Sequence, residues 1–174
     1  NLGNVLQDLG KSQEAVLSIR KAIKLNPNSA DLYSTLGSIL SDIGDLKEAE
    51  LLQLKAIKLN PNLVNAYSNL GCILQDLGKG EEAFDSFFKA ISIDPKSSYN
   101  YVLITQLISE FDHHEISKVK LINIFNLLLE RNDIEHNSLF KLFKYLYNDQ
   151  LYNNLSILQL ERLEKDLFKK LVTD

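Results

Sequence analysis

The chain has one cysteine, Cys72, in 174 residues. That excludes a disulfide framework and a four-cysteine zinc site. No apolar run approaches the ~18 residues of a membrane-crossing helix, and no signal-peptide pattern is present. A large excess of either charge is missing too. Residues 1–98 carry 10 Lys/Arg against 12 Asp/Glu, and the whole chain has net charge −4. Neither half is the basic body that a nucleic-acid partner requires. Phosphate-cradling loops, nucleophile elbows and dinucleotide fingerprints are also missing. These absences predict no catalytic site, no metal and no cofactor, and they place the protein in the cytoplasm.

Proline and glycine are sparse, and their positions carry the information. All three prolines, Pro27, Pro61 and Pro95, are 34 residues apart. The same interval separates Gly3, Gly37 and Gly71, and again Gly10, Gly44 and Gly78. Ala15, Ala49 and Ala83 follow it, as do Ala22, Ala56 and Ala90. A fixed period of this size means stacked supersecondary units.

Each unit reads as two helices. In the central one the spacing predicts a first helix from Ala30 to Ile43, with Leu32, Tyr33, Leu36, Ile39, Leu40 and Ile43 at three- and four-residue intervals. Gly44 ends it in the left-handed conformation. Asp45 and Glu48 then form a capping box for the second helix. Asn60-Pro61 stops that helix, because proline lacks a donor and restricts the residue before it. Gly37 and Ala49 are small where the two helices must approach closely, and Ala56 admits the next unit. Gln53 occupies a slot where a large apolar residue is expected.

The pattern Tyr33-x-x-Leu36-Gly37-x-x-Leu40, with Ala49, Ala56 and Pro61, resembles the tetratricopeptide repeat. Tyr67-x-x-Leu70-Gly71-x-x-Leu74, with Ala83, Phe87, Ala90 and Pro95, matches more fully. The first unit keeps Leu2, Gly3, Leu6, Ala15, Ile19, Ala22 and Pro27. The resemblance implies an all-α, right-handed superhelix (an α-solenoid). Three repeats span residues 1–98, the first truncated at its N-terminus. Residues 99–131 are a divergent fourth repeat or capping pair, where Tyr101 and Ile104 keep their slots but Thr105 and Ser117 replace glycine and alanine. Residues 132–174 are a helical extension or linker.

The remaining residues read as helices on apolar spacing: one over Glu115–Glu130, one over Ile134–Tyr147, and a last one opened by Ser156-x-x-Gln159. Tyrosines and asparagines from Tyr145 to Asn154 mark a loop. The run from Ile134 to Tyr147 loosely resembles a linker in bacterial proteins where such repeats precede a transferase domain. Asn1 is not a methionine and falls inside a repeat, and Asp174 follows an amphipathic segment without a polar tail. The chain therefore reads as part of a longer one, and its abundant Asn, Lys and Ile suggest an AT-rich, bacterial genome.

In the tetratricopeptide family the first helices line a concave groove that holds a peptide. The resemblance implies peptide-binding positions at Asn1, Asn4, Gln7 and Asp8. It adds Asp31, Ser34, Thr35, Ser38, Ser41 and Asp42, then Asn65, Ser68, Asn69, Cys72, Gln75 and Asp76. The residue before Leu-Gly is Asn1, Thr35 or Asn69, similar to the asparagine ladder of O-linked N-acetylglucosamine transferase-type proteins. An amide donates and accepts, so it pairs with any peptide unit. Asp8, Asp42 and Asp76 recur at the ends of first helices and could receive basic side chains. Lys and Arg, needed for a carboxylate clamp, are missing from these positions.

Other residues of reactive type are read as structural. In Asp112-His113-His114-Glu115 the adjacent histidines diverge and no third ligand is evident, so the segment is a helix start or loop. His136 has no partner at ligand spacing, and Cys72 is a small filler. The expected function is a scaffold that binds an extended peptide or partner protein. The alternative is the recognition arm of a larger glycosyl- or methyltransferase. Self-association through the apolar C-terminal helices is a further expectation.

Overall fold

The computed structural model describes residues 2–110, 116–129, 142, 145 and 146, and these contain helices and no strand. The chain divides into two compact units, Asn1–Ser97 and Ser98–Asp174. The first unit holds α1 (Leu2–Leu25), α2 (Ala30–Ile43), α3 (Leu46–Leu59), α4 (Val64–Asp76) and α5 (Gly80–Ile93). The second holds α6 (Ser98–Glu110) and α7 (Lys118–Leu129).

Two glycines make the hairpins of the first unit. Gly44 and Gly78 have φ of +95° and +74°, a region that costs L-residues a steric penalty and glycine none. Their slot-mates repeat the same closure. Gly44 N–H donates to Ser41 C=O at 2.9 Å and Asp45 N–H to Leu40 C=O at 2.8 Å. Gly78 and Lys79 do the same to Gln75 and Leu74, at 2.9 and 2.8 Å. The last carbonyls of α2 and α4 are thereby satisfied, and the chain reverses onto α3 and α5. The proline loops also repeat. Asn60 Oδ1 accepts from Asn62 N–H and Asp94 Oδ1 from Lys96 N–H, both at 3.1 Å.

The expected capping box at α3 is only half formed. Asp45 Oδ1 accepts from Glu48 N–H at 3.3 Å. The return bond is not made, because Asp45 N–H is used on Leu40 and the Glu48 carboxylate grips Arg20 of α1 at 2.7 and 2.8 Å. Both bonds come from one guanidinium nitrogen, Nη2, and a charged donor is a stronger partner for the carboxylate than one backbone amide.

Within each hairpin the helices meet at a glycine. A Cβ on Gly37 would lie 2.8 Å from Gln53 Nε2 and 3.2 Å from Ala49 O. One on Gly71 would lie 2.6 Å from Phe87 Cδ1. The recurring glycines are therefore demanded by close approach. The recurring alanines, Ala49, Ala56, Ala83 and Ala90, are all fully buried, since a larger side chain would hold the helices apart. Leu36, Leu40, Ala49 and Ile73 form a core flanked by Val16, Ile19, Ile23, Leu46, Leu52 and Leu77, so one apolar cluster runs through α1 to α4. Each large side chain fully buried there contributes roughly 1.5–3 kcal/mol.

The first repeat departs from expectation. α1 is one continuous helix of 24 residues, and Gly10 lies within it instead of ending a first helix. The residue after the glycine does not explain the difference: Lys11 offers no capping acceptor, but neither does its slot-mate Lys79, where the chain turns. Because the helix continues, Asp8 lies in the middle of α1 and not at a helix C-terminus.

In the second unit α6 buries Tyr101, Ile104, Leu107 and Ile108, and α7 buries Leu121, Ile124, Phe125 and Leu128. Both sets follow helical three- and four-residue spacing. α7 begins at Lys118, and Ser117 C=O accepts from Leu121 N–H at 3.1 Å. Ser117 thus opens the helix and does not take the small-residue packing slot, so the 34-residue register is lost at this point. Val119 stands out from α7 at 68% exposure, not in its apolar stripe as its spacing suggested. Leu142, Tyr145 and Leu146 are helical, so the loop expected from Tyr145 does not begin there. The remainder of that loop, the last helix, the segment Asp112–Glu115 and His136 lie outside the described residues.

Candidate functional site: the stripe on α2 and α4

α3 covers one face of α2, and α5 covers one face of α4. The residues left over fall at helical intervals on a single stripe of each. On α2 they are Asp31, Thr35, Ser38 and Asp42; on α4 they are Asn65, Asn69, Cys72 and Asp76. Spacing of four, three and four residues puts each set on one face. The two sets are slot-mates 34 residues apart, and α2 packs directly on α4, so the stripes run side by side. Asp31, Thr35, Asp42, Asn65 and Asp76 are exposed, and Ser38, Asn69 and Cys72 are half-buried. Neither helix contains a lysine or arginine.

Ser34 and Ser68 were expected on this face and are not. Both are buried, at 5% and 4% exposure. They sit one residue before the ladder positions, about 100° around the helix, where the neighbouring helix covers them. Ser68 Oγ turns back to Val64 C=O at 3.1 Å. Gln75 and Ser41 are half-buried beside the stripe.

A polar connection links the stripe to the core. Gln53, with no exposed surface, donates from Nε2 to Ser34 C=O at 2.9 Å. Asn69 Nδ2 donates to Ser34 Oγ at 3.5 Å, a long contact across α2 and α4. Gln53 Oε1 is buried without a hydrogen-bond partner. The mismatch of Gln53 with its slot was visible in the sequence; that it supports Ser34 was not. Thr35 Oγ1 donates to Asp31 C=O at 2.8 Å, which uses its proton and leaves its lone pairs outward. Asn69 likewise has one amide proton engaged and its Oδ1 available.

Cys72 is a free thiol. Burial, and next the carboxylate of Asp76, push its pKa up, against a smaller lowering by a backbone hydrogen bond. At neutral pH it is protonated, which suits a packing residue better than a nucleophile. Among the described residues no three His, Cys, Asp or Glu side chains come together as a metal site. No helix among them is long and apolar enough to cross a membrane. Asn4, Gln7 and Asp8 lie on the continuous α1, outside the hairpin arrangement that aligns the other two rows. Asn1 lies outside the described residues.

Paired antiparallel helices stacked at a constant interval define a helical-repeat solenoid. Family models described as tetratricopeptide repeat match residues 1–29, 19–50 and 64–97. The chain is a tetratricopeptide repeat protein. No curated protein matches it in sequence. Among solved structures it is similar to the tetratricopeptide domain of Arabidopsis OM64, at 25% identity and a TM-score of 0.57, over 63% of this chain and 90% of that one. It is also similar to MamA, at 28% identity and a TM-score of 0.59, over 74% and 73%. A third is the first tetratricopeptide domain of Spaghetti (RPAP3) bound to the HSP90 peptide SRMEEVD. That match has 24% identity and a TM-score of 0.55, over 61% of this chain and 84% of that one.

Proposed function

We propose that the paired stripes on α2 and α4 bind an extended peptide or an extended segment of a partner protein. The observation that carries this reading is the register of the two rows. Asp31, Thr35, Ser38 and Asp42 stand beside Asn65, Asn69, Cys72 and Asp76 on faces their own partner helices leave open. Asn65 and Asn69 supply amides that can pair with peptide units whatever the side chain. Asp31, Asp42 and Asp76 supply charge of one sign only.

That charge narrows the ligand. The peptide held by the Spaghetti domain contains two glutamates and a terminal aspartate. Here such an end would meet carboxylates and no cation, and like charges repel. The stripe suits a neutral or basic segment. An extended ligand loses conformational freedom on binding, so micromolar affinity is the expected order.

The test is amide chemical-shift mapping with a peptide selected against the protein from a random display library. Perturbations concentrated on Asp31–Asp42 and Asn65–Asp76 support the reading. Perturbations confined to the outer faces of α3 and α5 would contradict it. Attachment to a larger transferase would show in which peptides are selected, since an enzyme's recognition arm should favour its own substrate's sequence.

A further inference from the structure

The outer face of α3 carries leucines and lysines that the repeat's own core does not use. Lys47, Leu51, Leu54 and Lys58 follow at intervals of four, three and four residues, so they share one stripe. All four are exposed, Leu51 at 67% and Leu54 at 47%. The face recurs on α1, where the exposed Leu17, Lys21 and Lys24 are slot-mates of Leu51, Lys55 and Lys58. Leu51 belongs to a repeat with both helices in place, so its exposure does not come from a missing neighbour.

The acids of α3 do not balance these lysines. The helix has two carboxylates, and cations from its neighbours hold both: Glu48 pairs with Arg20 of α1 at 2.7 Å, and Glu50 with Lys79 at the start of α5 at 2.8 Å. Residues two apart on a helix point to nearly opposite sides, so α1 flanks α3 on one side and α5 on the other.

The width of the face selects among anionic partners. On α5 the slots of Lys47 and Leu51 hold Glu81 and Asp85, both exposed. The basic, leucine-bearing strip is therefore two helices wide, with axes about 8–10 Å apart, and a carboxylate row bounds it. A planar anionic surface would also meet that row, whereas a single helix laid along α1 and α3 would not. From Lys47 to Lys58 the stripe runs about 16 Å, roughly three helical turns.

We propose that this strip docks an acidic amphipathic helix of a partner protein. Its apolar side chains lie on Leu17, Leu51 and Leu54, and its carboxylates on Lys21, Lys47 and Lys58. Burial of the leucines holds the helix, and the lysines select and orient it. None of these residues belongs to the stripe on α2 and α4, so the proposal does not depend on peptide binding there.

The test is selection from a helix-constrained display library on the full chain, followed by affinity measurements with the selected peptides. They should carry Asp or Glu beside apolar residues at three- and four-residue spacing. Leu51→Ser/Leu54→Ser changes exposed positions, so it should leave the urea midpoint in place and weaken these peptides about tenfold. Lys47→Gln/Lys58→Gln should weaken them less and flatten the salt dependence. Asn65→Ala/Asn69→Ala should leave their affinity unchanged. Peptides without acidic bias, or bound equally well by the leucine variant, would overturn the proposal. So would sedimentation of the parent with phosphatidylserine vesicles that the leucine variant loses, because the face would then belong to a lipid surface. A concentration-dependent mass in light scattering, lost in the same variant, would overturn it in favour of a second copy of the chain.

Discussion

The α2–α3 and α4–α5 hairpins have the same backbone plan and different cores. Both cross at a glycine, Gly37 or Gly71, and both present a side chain to it from the second helix. In one that side chain is Gln53, with Nε2 bonded to Ser34 C=O and Oε1 without a partner. In the other it is Phe87, an apolar ring with no exposed surface. Glycine, alanine and the left-handed turn therefore set the crossing, and the side chain beneath it is free to vary within the space allowed. The polar version gives up some stability and connects the core to Asn69 on the candidate site. The apolar version packs.

Four substitutions test this contrast. Gly71→Ala should have the largest effect. The new Cβ would overlap a buried ring held on all sides, and overpacking of this kind typically costs 1–3 kcal/mol. A net loss of about 2 kcal/mol should appear as a lower urea midpoint, after the gain of up to ~1 kcal/mol in helix propensity. Gln53→Leu should act in the opposite direction. It removes a buried acceptor without a partner, so stability should rise by about 1 kcal/mol. A loss of that size would mean Oε1 is satisfied in solution.

Gly37→Ala should cost less than Gly71→Ala, about 1 kcal/mol, because the end of the Gln53 side chain can move while its hydrogen bond is lost. Equal costs in the two hairpins would remove the distinction between them. Cys72 should show the smallest effect. Its raised pKa means that the folded protein holds the thiol proton more tightly than the unfolded chain does. Stability from this group is therefore complete below the ordinary thiol range and is lost as pH rises from there through the raised folded value. Alkylation near the ordinary thiol pKa should be slower in the folded protein than in urea. Comparing Cys72→Ala with the parent in alkaline unfolding isolates the thiol from the tyrosines and lysines.

Much of the fold was legible because its signals are local and repeat. The bounds of α2 follow from Ala30, the apolar spacing and Gly44, and those of α3 from Asp45 and Asn60-Pro61. Competition between partners was not legible. Glu48 could cap α3 or pair with Arg20, and only the placement of α1 beside α3 decides. Ser34 and Ser68 show the same limit at the candidate site: period places them near the stripe, and the neighbouring helix buries them. Gly10 is the hardest case, since the slot that turns the chain twice does not turn it in α1. Beyond Ser98 the period fades, and Ser117 shows how far the register has moved. The exposed Val119 on α7 is the described residue to change if light scattering at two concentrations reveals self-association.

The stripes on α2 and α4 are proposed to hold the ligand. The most direct measurement is the affinity of a library-selected peptide for the parent and for Asn65→Ala/Asn69→Ala, each verified as folded by circular dichroism. Loss of one or two amide hydrogen bonds predicts weakening of about tenfold, equivalent to roughly 1.4 kcal/mol. An unchanged dissociation constant in the folded double mutant would contradict the claim.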